Sequence, residues 1–183
     1  MTTGNCRSLH PMLLIHATQK LLSVSRLSAA TYITAAGPDQ LLHSWYAQLL
    51  STGFPGKGLI MYVHEPSLLT VVCAGKTIKR TWPSFQQRLP ALLARYGFPP
   101  PIIEHEMAMA EGYVVGKTVS RSMLAYMRQI EYTIEQNSRR FPTAEAISLD
   151  ELERICMGCL FGRKEKGHSY FTPTRYWKER LSS

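Results

Sequence analysis

The sequence predicts an α+β domain: a small mixed or antiparallel sheet of about four strands, packed by three main helices and followed by a helical, basic C-terminal extension. Short β-prone runs at 12–16, 59–64, 68–74 and 113–115 alternate with longer stretches of helical period. The stretch 112–137 reads as a strand running directly into a helix, because the apolar run Tyr113 to Val115 closes at Gly116 and Ser120 then stands at an N-cap position. At 183 residues, with 45% hydrophobic and 19% charged residues, the chain is long enough and apolar enough for one core.

The elements follow in order. Residues 1–11 read as a flexible leader, residues 12–140 as the α+β domain and residues 141–183 as the extension. Met12 to His16 suits a buried strand, and Thr18 can cap the turn that follows. Residues 26–38 are rich in Ser, Ala, Thr and Gly and form a connection. Leu41, Leu42, Trp45, Tyr46, Leu49 and Leu50 recur with helical spacing after Pro38 and Asp39, which predicts a helix over 39–51, ended by Gly53, Pro55, Gly56 and Gly58. Leu59–His64 and Leu68–Ala74 flank Glu65-Pro66-Ser67 as a hairpin, expected to be the central antiparallel pair. A helix over 84–96 is capped by Ser84 and carries the stripe Phe85, Leu89, Leu92, Leu93 and Tyr96, with Pro90 predicting a kink or a later start. A short helix near 103–110 leads to the strand at 113–115. The helix at 120–137 then buries Met123, Leu124, Met127, Ile130 and Ile134 on one stripe. Ser148 caps a short helix through Cys156, and the rest is basic with interleaved aromatics.

The formal net charge is +8, and the segment from Arg163 to the end holds six basic residues against two acidic ones, half of that total. Such a balance favours a polyanionic partner through phosphate neutralisation and counterion release. No apolar run approaches the roughly 18 residues a membrane-spanning helix needs, and the first 11 residues lack a secretory h-region. The expected setting is therefore cytoplasmic with no membrane, and the four cysteines are expected to be reduced.

Several motifs fail on their own chemistry. Gly116-Lys117-Thr118 and Gly75-Lys76-Thr77 imitate the end of a phosphate-binding loop, but the required first glycine falls on Glu111 and Thr70. Cys156-Met157-Gly158-Cys159 has zinc or redox spacing without two further ligands, so it reads as cysteines packed at a helix end. Glu104-His105-Glu106 reads as a solvated face, and His64 as an exposed histidine at a hairpin end. No cofactor and no metal are implied.

The remaining candidate is an anion site at the start of the 120–137 helix, where unpaired N–H groups and a partial positive charge meet Lys117, Thr118, Arg121, Ser122 and Arg128, with Tyr132 further along. The competing reading has Arg128 paired with Glu131 or Glu135 on a solvated face. The basic, aromatic extension has the composition of a surface that stacks bases and neutralises phosphates, or of a tail that docks its aromatics on the domain.

Three clusters resemble an uncharacterised bacterial family known only as a domain of unknown function: Thr18-Gln19-Lys20-Leu21-Leu22, Trp45-Tyr46-Ala47 with Leu49-Leu50, and Thr118 with Arg121-Ser122, Leu124 and Met127. The resemblance spans about 12–137. That family usually has a glycine and an Asn-Asp pair in the last cluster, where this chain has Ala125, Arg128 and Gln129. It implies a fold unit and no activity. On the residues alone, Lys20, Trp45, Thr118, Arg121 and Ser122 are expected to converge where the first and last strands end, with His64 as a further candidate. The function expected is a binding or regulatory module for an anionic partner such as RNA or DNA. The alternatives are a metal-independent ribonuclease-like toxin using His64 or His105 as acid or base, and a protein–protein adaptor.

Overall fold

The computed structural model describes residues 12–30, 40–162 and 170–182; the expected leader and the basic run 163–169 lie outside the described residues. The described residues form a mixed five-stranded sheet, a two-stranded ribbon and six helices, an α+β fold with helices on both sheet faces. The strands are β1 (Met12–Ala17), β2 (Ser44–Ser51), β3 (Gly58–His64), β4 (Thr70–Ala74) and β5 (Gly112–Lys117), in the order β4-β3-β2-β1-β5. β1 runs parallel to both β2 and β5, while β2, β3 and β4 pair antiparallel in succession. The helices are α1 (Gln19–Ser25), α2 (Ile78–Arg95), α3 (Pro100–Met109), α4 (Arg121–Ser138), α5 (Leu149–Gly158) and α6 (Pro173–Leu181). The ribbon pairs β6 (Phe161–Gly162) with β7 (Tyr170–Phe171).

The expected helix over 39–51 is instead β2, the middle strand of the sheet. Its apolar positions satisfy either period. Trp45 and Ala47 enter one core cluster while Tyr46 and Leu50 enter the other, so a strand covered on both faces shows no clean alternation. For the same reason the β3–β4 hairpin is not central: β3 pairs with β2 and leaves β4 at an edge. The cap of α2 stands seven residues before the expected Ser84, at Thr77, whose hydroxyl accepts from the Arg80 N–H. Ile78, Thr81 and Trp82 extend its buried stripe backward, and the helix runs through Pro83 and Pro90. α4 and α5 start where the sequence puts them: Ser120 accepts from the Met123 N–H and Ser148 from the Glu151 N–H, both at 3.2 Å.

Alternation along the strands divides the core. Leu13, Ile15 and Ala17 face α1 and α2 together with Trp45, Tyr62, Phe85 and Trp177. Tyr46, Leu50, Met61 and Val63 face α4 and α5 together with Met123, Met127, Ile130 and Ile134. Much of the aromatic content of the basic extension is used here. Trp177 is 1% exposed, Phe161 and Phe171 are buried, and Tyr170 stays exposed. Among the described residues, no helix is long and apolar enough to cross a membrane.

Two buried carboxylates hold backbone that the sheet leaves unpaired. Glu106 is buried, not solvated as its polar neighbours suggest, and it accepts the Leu41 and Leu42 N–H groups at 2.9 and 3.0 Å. Glu153, on α5, accepts the outward N–H of Val72 on edge strand β4 at 3.0 Å, and Arg88 of α2 donates to both of its oxygens. An edge N–H is thereby closed to a foreign strand. Burial pushes the Glu153 carboxyl above its ordinary range against the pull of Arg88, whereas Asp150, hydrogen-bonded to the same guanidinium at the surface, is lowered. Glu153→Ala should cost about 3 kcal/mol, the lower end of the range for breaking a buried pair because Arg88 retains some solvent. Glu153→Gln, which keeps an acceptor for Val72, should cost less, and urea unfolding midpoints for the two variants check the order.

Candidate functional site

The parallel pairing places the carboxyl ends of β1 and β5 side by side, with Ala17 opposite Lys117 and His16 opposite Gly116. The first and last strands of the sheet therefore end together, as the sequence suggests. Carboxyl edges of parallel strands are where open sheets present ligand crevices. The bend from Lys117 to Ser120 is tied down by two residues that sequence reasoning did not single out. His16, only 6% exposed, donates from Nδ1 to the Lys117 carbonyl at 2.8 Å. Its ring stacks on Tyr46 at 4.7 Å between centroids, and the Tyr46 hydroxyl oxygen accepts from the Ser120 N–H at 3.2 Å. Burial, with Glu65 adding to it, raises the Tyr46 phenol above its ordinary value and keeps it neutral. The sequence signal for this pair was masked, because Tyr46 was assigned to a helix.

On that bend Lys117 and Arg121 are exposed while Thr118 and Ser122 are half-buried, and Arg128 is exposed seven residues further along α4. Seven residues of α-helix advance about 10.5 Å and return to nearly the same face. Among the described residues Arg128 makes no ion pair with Glu131 or Glu135, and neither Lys117 nor Arg121 is in an ion pair. Lys20 is exposed on α1, which starts at the same edge, but α1 packs on the opposite sheet face from α4.

Trp45 and His64 do not join this group. Both are buried on the α1–α2 face, where Trp45 donates from Nε1 to the Leu42 carbonyl at 2.7 Å. His64 is 1% exposed, against the exposed hairpin-end position expected of it. Its ring lies between Trp45 and Trp177, with Nδ1 2.7 Å from the Ser67 hydroxyl and a second bond to the Leu41 backbone. Burial, assisted by the charges of Arg180 and His43, lowers its pKa to about 3. The imidazole is a satisfied, neutral core group. His105 is exposed on α3, next to the buried Glu106.

Cys156 is buried with its thiol pushed up by burial, and Cys159 caps the end of α5, so the pair sits at a helix end as the spacing suggested. Cys73 is likewise pushed up to about 12, chiefly by burial. No group of three or more His, Cys, Asp or Glu positioned to hold a metal ion occurs among the described residues.

The family described as Domain of unknown function (DUF6933) matches residues 14–176. The chain belongs to this family. The match passes the 137 limit of the three clusters and takes in α5 and the ribbon, the elements that close the β4 edge and complete the α4-side core. None of the curated proteins matches the sequence. For this DUF6933 chain, then, chemistry is read from its own residues.

His64 gives a pH test of the packing that excludes it from the site. Unfolded, it takes a proton near 6.5; folded, only near 3. Its contribution to stability is therefore complete above pH 6.5 and is lost as pH falls through that window, by about 2 kcal/mol at pH 5. In urea melts between pH 7 and 5, His64→Gln should lower stability at pH 7 and flatten the decline, so that the two curves converge toward acid.

Proposed function

We propose that this protein is a binding or regulatory module for an anionic partner, a nucleic acid strand, engaged through its phosphates at the carboxyl edge of β1 and β5. The observation that carries the reading is the first turn of α4. A helix N-terminus is stabilised by an acidic side chain and disfavours a cation, yet this turn has no acid and begins with Arg121, just after Lys117. Among the described helices only α5 has acids in its first turn, Asp150 and Glu151, so what sets α4 apart is the cations Lys117 and Arg121 at its start rather than the missing acid. Unpaired positive charge on a positive helix end is offset by an incoming anion, and a phosphate there meets backbone N–H groups as well as side chains.

The roles follow from placement. Lys117 and Arg121 flank the entry, Thr118 and Ser122 supply hydroxyls, and Arg128 extends the contact along α4. Lys20 adds charge across the edge. The His16–Tyr46–Ser120 chain holds the bend in shape without needing to touch the ligand. The extension offers little base stacking, since Tyr170 is the only aromatic among Phe161, Tyr170, Phe171, Tyr176 and Trp177 that the described structure leaves exposed; on α4, Tyr132 is exposed one turn beyond Arg128. Sequence-independent binding dominated by charge is the mode this supports.

Fluorescence anisotropy with labelled single-stranded RNA and duplex DNA tests it. Three phosphate contacts on a single strand predict about a 20-fold loss of affinity between 50 and 200 mM salt, and Arg121→Ala should weaken binding and shallow the salt slope by about 0.7. The nucleic acid should run intact on a denaturing gel afterwards. Cleaved RNA would make the protein a nuclease instead, and absence of binding at both salts would end the reading.

A further inference from the structure

A second basic feature lies along the same sheet edge and is not used by the α4 site. A cleft of about 690 Å³ opens beside the β2–β3 turn and the end of β4, within the range of small-molecule sites. Lys57, Lys76 and Arg80 line it, with Glu145 as its single acid and Leu59 and Ile147 among its apolar walls. The three cations converge from different segments: the β2–β3 turn, the β4–α2 turn and α2 itself.

The backbone beneath them is constrained for this placement. Gly75 has φ +149°, and a Cβ there would stand 2.6 Å from the Thr81 methyl group. Across the cleft, a Cβ on Gly58 would stand 3.1 Å from Cγ of Lys76, so the missing side chain makes room for the lysine stem. One anion already occupies the cleft: the Glu145 carboxylate lies 2.8 Å from Lys57 Nζ. Its hydrogen bond to Lys57 holds that carboxyl below its ordinary value. Both side chains of the pair are more than half exposed, at 56% and 69%. Pairs of this kind contribute little and exchange readily for a better anion.

We propose that this cleft is a second phosphate site, taking a phosphorylated organic molecule of about nucleotide size whose phosphate displaces Glu145 from Lys57. Arg80 offers the planar fork that suits phosphate oxygens, Lys76 and Lys57 add point charges, and Leu59 and Ile147 face the organic part. Among the described residues no aromatic lines the cleft, so the phosphate is the anchor and a base is not held by stacking. The cleft shares no residue with the α4 site, so an anion can bind in either without the other.

Backbone amide NMR of the whole chain, titrated at constant ionic strength with pyrophosphate and separately with adenosine monophosphate, decides it. The expected result is saturable shifts at Gly75, Lys76 and Thr77, weakened about tenfold by Lys76→Ala or Arg80→Ala, as befits a charge-assisted contact. Glu145→Gln should tighten binding about threefold by removing the competing carboxylate, a gain that misfolding does not imitate. Shifts no larger than those from chloride at equal ionic strength, or a Glu145→Gln variant that binds no better than the native protein, would overturn it. A mononucleotide that binds more tightly than pyrophosphate assigns a free organic phosphate. A short RNA that moves the same amides together with those of 118–122 assigns a phosphate of a strand lying along the edge.

Discussion

The parallel pairing of β1 with its two neighbours is the constraint from which the rest of this structure follows. A parallel neighbour cannot be reached by a tight turn, so the chain must cross over a sheet face before it returns. It does so between β1 and β2 and again between β4 and β5, where α2 and α3 intervene. Parallel strands also need cover on both faces, which the two core clusters provide. A third consequence is positional. β1, β4 and β5 point the same way, and α1, α2 and α4 leave from their carboxyl ends. Three helix N-termini are thereby placed along one edge, together with Lys20, Lys76, Lys79, Arg80, Lys117 and Arg121.

The other end of the electrostatic account is buried acid. Glu106 and Glu153 are nearly inaccessible to solvent, and in many proteins such carboxylates mark catalysis. Here each has a structural partner set. Glu106 receives two consecutive N–H groups just ahead of β2, and Glu153 receives an edge N–H and a guanidinium. A carboxylate can remain buried when several donors converge on it, and removing the donors rather than the acid would expose the cost. Their conspicuous burial is thus accounted for by strand termini and edges.

Local chemistry was legible from the sequence and long-range chemistry was not. Ser120 and Ser148 announce their helices because a cap is a contact across three residues. The stripe Met123, Met127, Ile130, Ile134 announces its buried face because only one period fits it. β2 was misread since Trp45 and Tyr46 are both buried, on opposite faces, and the spacing of its apolar residues fits a helix equally well. α2 was begun too late because its first two turns carry Lys79, Arg80 and Pro83, which read as a basic linker, while Ile78, Thr81 and Trp82 gave the true start. Of the candidate site, the bend with Lys117, Thr118, Arg121 and Ser122 was visible as an N-terminus. His16 and Tyr46 were not, since their roles depend on contacts to residues 101 and 74 positions away. His64 and Trp45 show the converse error: polar or amphipathic character suggested a site, but tertiary burial satisfied both.

Cations at the first turns of helices weaken the unliganded fold, and a protein stabilised only for its own sake would carry Asp or Glu there, as α5 does. The cost is small per turn, a few tenths of a kcal/mol at an exposed position, but it recurs: α1, α2 and α4 start with Lys20, with Lys79 and Arg80, and with Arg121, and no acid offsets them there, nor is there one in the first turns of α3 and α6. Screening by salt reduces the penalty in the free protein. It reduces the attraction for an anion as well, so both effects belong to the same charges and scale together with ionic strength. Acids stand conventionally at the start of α5, and two carboxylates neutralise Arg88 at the β4 edge, whereas the helices that leave the carboxyl edge of the sheet start with cations. The net charge of +8 alone would be compatible with a uniformly basic surface; at the carboxyl edge Lys20, Lys79, Arg80 and Arg121 are gathered at helix N-termini, where an added cation is least favourable.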